Sequence, residues 1–208
     1  MRIVKPSVEL LWITPEAEKI IERAGRTCYK SEDKITDDSA GKFVRMLIER
    51  GHEAMIEHAS ASFLWITDRG VTHELVRHRL VSYAQESTRY CNYEKQNEIA
   101  VIEPPGLDEY GNDAWRRACC VAEKSYLEMI GLGLAPQIAR SVLPTCLKTE
   151  IVVTANLREW RHICRLRTSS TAHPQIQEMA KLTLSILKEF VPTVFEDFSW
   201  PSVRGYCN

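Results

Sequence analysis

The chain has 208 residues, 44% hydrophobic and 26% charged, with a formal net charge of −1 and a pI near 6.6. That length suits a single domain, 1–208, able to bury its own core. The balanced charge excludes a general nucleic-acid or membrane-surface binder. No apolar run approaches the roughly 20 residues of a membrane span. Met1-Arg2-Ile3-Val4-Lys5-Pro6 lacks the apolar region of a signal peptide, so a cytoplasmic location is expected. The seven cysteines (28, 91, 119, 120, 146, 164 and 207) form no Cys-x-x-Cys and are odd in number, which predicts reduced thiols, not a disulfide framework or a metal site.

Val8 to Ile13 reads as a strand, and Thr14-Pro15 as the cap and first turn of a helix running to about Cys28. The next helix covers about Asp38 to Arg50 and stops at Gly51. Ala59 to Thr67 reads as a strand closed by a turn at Asp68-Arg69-Gly70. Thr72 to about Arg79 reads as a helix running into a loop. Glu98 to Ile102 is a short strand, followed by a long helix from about Asp108 to Ile130 and a short one from Pro136 to about Val142. Leu147 to Ala155, rich in β-branched residues, is the clearest strand. Asn156 caps a helix to about Leu166, and His173 to Phe190 forms the last. Strands and helices do not alternate regularly. The expected class is α+β: an antiparallel or mixed sheet packed with several helices, including a long central one.

The densest chemistry lies in Arg77-His78-Arg79-Leu80-Val81-Ser82-Tyr83-Ala84-Gln85-Glu86-Ser87-Thr88-Arg89. Three arginines, a histidine and three aliphatic hydroxyls in thirteen positions suit phosphates and a polar heterocycle. A second cationic group lies on the predicted helix after Asn156. At about 100° per residue, Arg158, Arg161, His162 and Arg165 share one face, with Leu157, Trp160 and Cys164 on the other. Glu159, its only acid, lies off the centre of that stripe, and Arg167 emerges where the helix is expected to have ended. With Arg140 on the short helix, these point to an anionic, nucleotide-like ligand.

Other frames fail on spacing. His73-Glu74-Leu75-Val76-Arg77-His78 has one residue too many for a zinc protease helix, so no metal is expected. Gly131-Leu132-Gly133 follows a helix and lacks the third glycine of a dinucleotide fingerprint. There is no P-loop and no Gly-x-Ser-x-Gly elbow.

Written as Arg-His-Arg-x-x-Ser-x-x-x-x-Ser-x-Arg, the first motif resembles the signature of the flavin-dependent thymidylate synthases. It matches at Arg77, His78, Arg79, Ser82, Ser87 and Arg89. Flanking blocks extend the resemblance from about residue 50 to 170. They are Gly51-His52-Glu53 with Glu57-His58, then Ala139-Arg140-Ser141-Val142-Leu143-Pro144, then Asn156-Leu157-Arg158 with His162 and Arg167. The resemblance implies an enzyme making dTMP from dUMP, without a cysteine nucleophile. Methylenetetrahydrofolate would give the carbon and FAD reduced by NADPH the hydride. It also implies a homotetramer holding FAD between subunits, and no nucleic-acid or membrane partner.

Carried over by position, Ala54, Arg77, His78, Arg79, Gln85, Asn156, Leu157, Arg158 and His162 would contact FAD. Glu74, Leu75, Val76 and Arg77, then Gln85, Glu86, Ser87, Thr88 and Arg89, with Arg140 and Arg167, would contact dUMP. Arg167 would favour the N3-ionised uracil, a role suited to a guanidinium that stays charged. Ser87 and His52 complete the implied catalytic set. Serine nucleophiles need a nearby base, none is evident for Ser87, and it is expected to position dUMP as a donor. Three positions depart from relatives: Ala54 replaces a hydroxyl residue, Ala84-Gln85 an Asn-Glu, and Glu74 a neutral amide. A flavin- or nucleotide-binding module without turnover is the main alternative. An RNA-binding role for the arginine stripe fits poorly with the net charge.

Overall fold

The structure, a computed structural model, describes residues 1–93 and 98–199. Cys207 therefore lies outside the described residues. The chain folds into two compact units, one built from 1–7, 65–77 and 84–151, the other from 8–64, 78–83 and residues from 152 onward.

In the first unit, β1 (Arg2–Val4) pairs in parallel with β5 (Ala100–Ile102), placing Ile3 opposite Val101. Between them in sequence come β2 (Ser7–Ile13), α1 (Ala17–Tyr29), α2 (Ser39–Glu49), β3 (Ser60–Asp68), α3 (Arg69–Leu75) and β4 (Val81–Gln85). After β5 follow α4 (Glu109–Gly131), α5 (Pro136–Ala139), β6 (Lys148–Asn156), α6 (Leu157–Arg167), α7 (Pro174–Phe190) and α8 (Pro192–Phe195). Strands β2, β3, β6 and β4 lie side by side in that order. The non-sequential order and the bunched helices bear out the α+β expectation.

The strict alternation of β6 explains why it is a strand. Thr149, Ile151, Val153 and Ala155 are buried while their neighbours are half-exposed, the two-residue period of a pleat. The first unit's core gathers Ile99, Val101, Tyr126, Ile130 and Leu147. In the second, Phe63 of β3 meets Trp160 of α6 edge to face at 5.0 Å, and the indole donates to the Ala61 carbonyl at 3.0 Å. α7 buries Ile176, Met179, Ala180, Leu184 and Leu187 on one face.

Four local expectations are corrected. Thr14 does not cap α1. Its hydroxyl exchanges hydrogen bonds with Ser60, fastening the end of β2 to β3, and α1 starts from Glu16 in a left-handed conformation at φ 48°. Asp68-Arg69-Gly70 is a helix start, not a turn: Asp68 Oδ1 accepts from the Val71 amide at 2.8 Å. That shifts α3 toward the N-terminus, and it ends at Leu75. Residues after it, expected as a loop, form β4, which pairs with β6 through Glu86 N–H to Glu150 O at 2.9 Å. Arg167 is still helical, with Thr168 as the C-cap.

Candidate active site

Asn156 builds the local frame. Its side-chain oxygen accepts from the Glu159 amide at 2.8 Å, satisfying one of the orphan donors at the start of α6. From that start the helix projects its charged residues in two directions. Arg158, His162 and Arg165 face outward, where they line a cavity of about 390 Å³ with Asn156, Glu159, Glu53, Glu57 and Leu80. Arg158 pairs with Glu57 at 2.5 Å and lies 3.8 Å from Glu53.

Arg161 turns inward, which corrects the single cationic stripe. Its guanidinium is 1% exposed, donates to the Val194 carbonyl and forms two 2.7 Å bonds with Asp197. A helical wheel could not reveal this, because the burying elements lie about thirty residues downstream.

Glu159 also turns inward. Its carboxylate approaches His78 Nδ1 at 3.6 Å, and both residues are buried. On the other side of the imidazole, Arg167 Nε donates to His78 Nε2 at 3.1 Å. His162 meets the same ring edge-on at 5.5 Å. Tyr83 holds the backbone here, donating to the His78 carbonyl at 3.0 Å. Burial, then the charges of Arg167 and His162, lower the His78 pKa from its ordinary value to about 4. The ring is therefore neutral near pH 7, as its acceptor role at Nε2 requires. Burial raises the carboxyl of Glu159 and the phenol of Tyr83 above their usual ranges.

Donor atoms of His78, Glu159 and His162 lie within 4.8 Å of one another, the composition of a metal triad. The guanidinium of Arg167 on the same imidazole opposes a cation there. His52 sits apart on a different contact, its Nδ1 2.8 Å from the Tyr29 hydroxyl and its ring stacked on that phenol. Ala54 and Arg79 are exposed, and Leu157 is fully buried beneath the helix start.

In the first unit, Ser87, Thr88, Arg89 and Arg140 form a second group. Arg140 donates to the Thr88 hydroxyl at 3.2 Å, and the Arg89 amide donates to Ser87 Oγ at 3.3 Å. Both arginines are exposed. Among the described residues, the hydrogen bond at Ser87 Oγ is the one from the Arg89 amide, and no basic side chain is bonded to it. Gln85 is committed inward: its amide donates to Thr72 and Thr149 hydroxyls at 3.0 and 3.2 Å. Glu86 is likewise held, by the Tyr93 hydroxyl at 2.8 Å and Lys148 at 3.3 Å, so its carboxylate braces the strand. Glu74 and Leu75 close α3, with Leu75 buried, while Val76 and Arg77 follow it exposed.

A family model described as thymidylate synthase complementing protein matches residues 9–193. A flavin-dependent thymidylate synthase of Mycobacterium sp. (strain JLS) is 37% identical over 212 residues, covering 89% of this chain and 82% of that protein. One from Corynebacterium efficiens is 35% identical, covering 93% and 85%. The chain belongs to the flavin-dependent thymidylate synthase family. Among solved structures, a UMP/dUMP methylase from Streptomyces cacaoi bound with 5-Br dUMP shares the fold with a TM-score of 0.82 at 24% identity, covering 97% of this chain and 98% of that one. Thymidylate synthase X from Helicobacter pylori, solved with FAD and dUMP, gives 0.78 at 23%, covering 92% and 98%. For this synthase family member, the residue that sequence reasoning passed over is Glu159. Asn156-x-x-Glu159 looks like a capping box, in which the glutamate would fold back on the cap. Here the cap uses only the Glu159 amide and leaves the carboxylate for His78.

Proposed function

We propose that this chain is a flavin-dependent thymidylate synthase that methylates dUMP reductively to dTMP. Methylenetetrahydrofolate is the carbon donor and NADPH the source of reducing equivalents. The observation that carries the reading is the contact of Arg167 with His78. It joins the last arginine of α6 to the histidine of the Arg-His-Arg motif, 89 residues apart.

The residues present fit FAD. Arg158 and Arg165 are 48% and 56% exposed on the cavity wall and offer two guanidiniums to a pyrophosphate. Asn156 and His162 add polar edges suited to a flavin. Glu57 occupies Arg158 but is itself 45% exposed, and such a surface pair is worth about 0–1 kcal/mol, so an anion can replace it cheaply. When bound, the flavin supplies the hydride.

Every other task falls to this chain's side chains. Ser87, Thr88, Arg89 and Arg140 bind the nucleotide phosphate with hydroxyl and guanidinium donors. Arg167 stabilises negative charge on the uracil when N3 is deprotonated, which raises electron density at C5. The neutral His78 orients that guanidinium without adding a competing charge. The route uses no thiol adduct, and burial pushes Cys119 and Cys164 up to about 12, leaving those two protonated near pH 7. Assembly as a homotetramer with FAD between subunits belongs to the same proposal. Its support on this chain is apolar surface on α4, where Tyr110 and Val121 are 83% and 65% exposed. We take residues 1–208 as one functional domain and the cytoplasm as its place. Among the described residues no helix is long and apolar enough to cross a membrane.

The test supplies FAD, NADPH, methylenetetrahydrofolate and dUMP tritiated at C5. Wild-type protein should release tritium and form dTMP only when all are present. Arg167→Ala should lose at least about 100-fold in turnover, the scale of one oxyanion-type donor, while retaining flavin absorbance. Bound flavin without tritium release or dTMP in the wild type would instead identify a binding module.

A further inference from the structure

We propose that Glu159 is a positioning residue for Arg167, acting through His78. This rests on the reading that Arg167 acts on the uracil. Three side chains form a line: the Glu159 carboxylate at 3.6 Å from His78 Nδ1, the imidazole, and Arg167 Nε at 3.1 Å from Nε2. Because Arg167 can only donate, Nε2 must carry a lone pair, and the imidazole proton must sit on Nδ1. That proton then points toward the carboxylate. At 3.6 Å the approach is electrostatic and longer than a hydrogen bond. In a buried setting it still favours the Nδ1–H tautomer over the alternative, which would aim a lone pair at Glu159 and a proton at Arg167.

On its own helix the carboxylate also feels the charges of His162 and Arg158, and across from the helix it faces His78. Glu159 is 8% exposed, its amide already satisfies the Asn156 cap, and α6 needs no acid to be a helix. His78 is fixed from a further side, since Tyr83 anchors its carbonyl. The bond from Nε to His78 helps to set the plane of the Arg167 guanidinium. Losing Glu159 frees the imidazole to change tautomer, and Arg167 Nε then loses His78 as an acceptor.

The experiment compares Glu159→Leu, which removes the acceptor, with Glu159→Gln, which keeps a carbonyl at the same reach. Glu159→Leu should lower kcat about tenfold or more, the scale of a small misplacement, with KM for dUMP nearly unchanged. Glu159→Gln should keep most of the turnover. In an Arg167→Lys background, which has no Nε donor, Glu159→Leu should cost nothing further. Nitrogen-15 NMR of histidine-labelled protein should show His78 protonated at Nδ1 in the wild type and at Nε2, or in exchange, in Glu159→Leu. Equal losses in both Glu159 variants, the same tenfold loss in the Arg167→Lys background, or an unchanged His78 tautomer would each overturn the proposal. If Arg167→Ala turns over normally, the role of Arg167 falls instead, and the NMR result still decides whether Glu159 sets the tautomer.

Discussion

Two arginines six positions apart on α6 end up with opposite duties. Arg167 is half-buried and donates to a neutral imidazole. Arg161 is spent on structure, clamped by Asp197 and the Val194 carbonyl, with the Phe198 ring 5.2 Å from its guanidinium. Replacing it by leucine should cost about 2–4 kcal/mol, because a buried carbonyl and a carboxylate lose their donor. The pair also sets a pH signature. Burial disfavours the Asp197 anion, but the bonds from Arg161 outweigh it and hold this carboxyl below its usual range. A depressed folded pKa means stability that is complete above the ordinary carboxylate range and drains away as pH falls through the lower folded value. The gap in melting temperature between wild type and Arg161→Leu should therefore be widest near neutrality and narrow below about pH 4. A gap that does not change with pH would place the effect in packing alone.

Elements were legible where their signals are local. β6 announces itself by alternation, α6 by Asn156, and α4 by Asp108 at one end and Gly133 at the other, with φ 86°. Less was legible where a distant partner decides. β4 carries Ser82 and Ala84 in a polar run, and only pairing with β6 makes it a strand. The motif's arginines, hydroxyls and histidine could be picked out in advance; the burial of Arg161 and Glu159 could not. The cap of α6 provides a test at this scale. Asn156→Ala should lower the stability of the flavin-free protein by about 1 kcal/mol, while Asn156→Asp keeps an acceptor and should cost little. Urea midpoints with unchanged slopes would read this directly. An alanine variant as stable as wild type would mean the Glu159 amide finds another acceptor.

At the scale of the molecule, the chain passes from one unit to the other five times. Strands β3, β4 and β6 each begin in one unit and finish in the other. Neither unit can thus be cut out as a contiguous segment, and melting either would strip residues from strands the other depends on. Calorimetry of the flavin-free protein should therefore give a single transition, with calorimetric and van't Hoff enthalpies in agreement. Two resolved transitions would show that the strand continuity does not couple them.

α1 is bracketed by two residues held in backbone conformations that side chains disfavour. Glu16 sits at φ 48° before it and Lys30 at φ 47° after it. The amide of Lys30 points back to the carbonyls of Arg26 and Thr27, a closing geometry that glycine adopts without steric penalty. The protein thus carries unused headroom at the end of this helix, one residue past the Tyr29 that holds His52. Exchanging Lys30 for glycine should raise the melting temperature by a few degrees, corresponding to about 1 kcal/mol. That gain would come from a single substitution at the C-terminal end of a thirteen-residue helix.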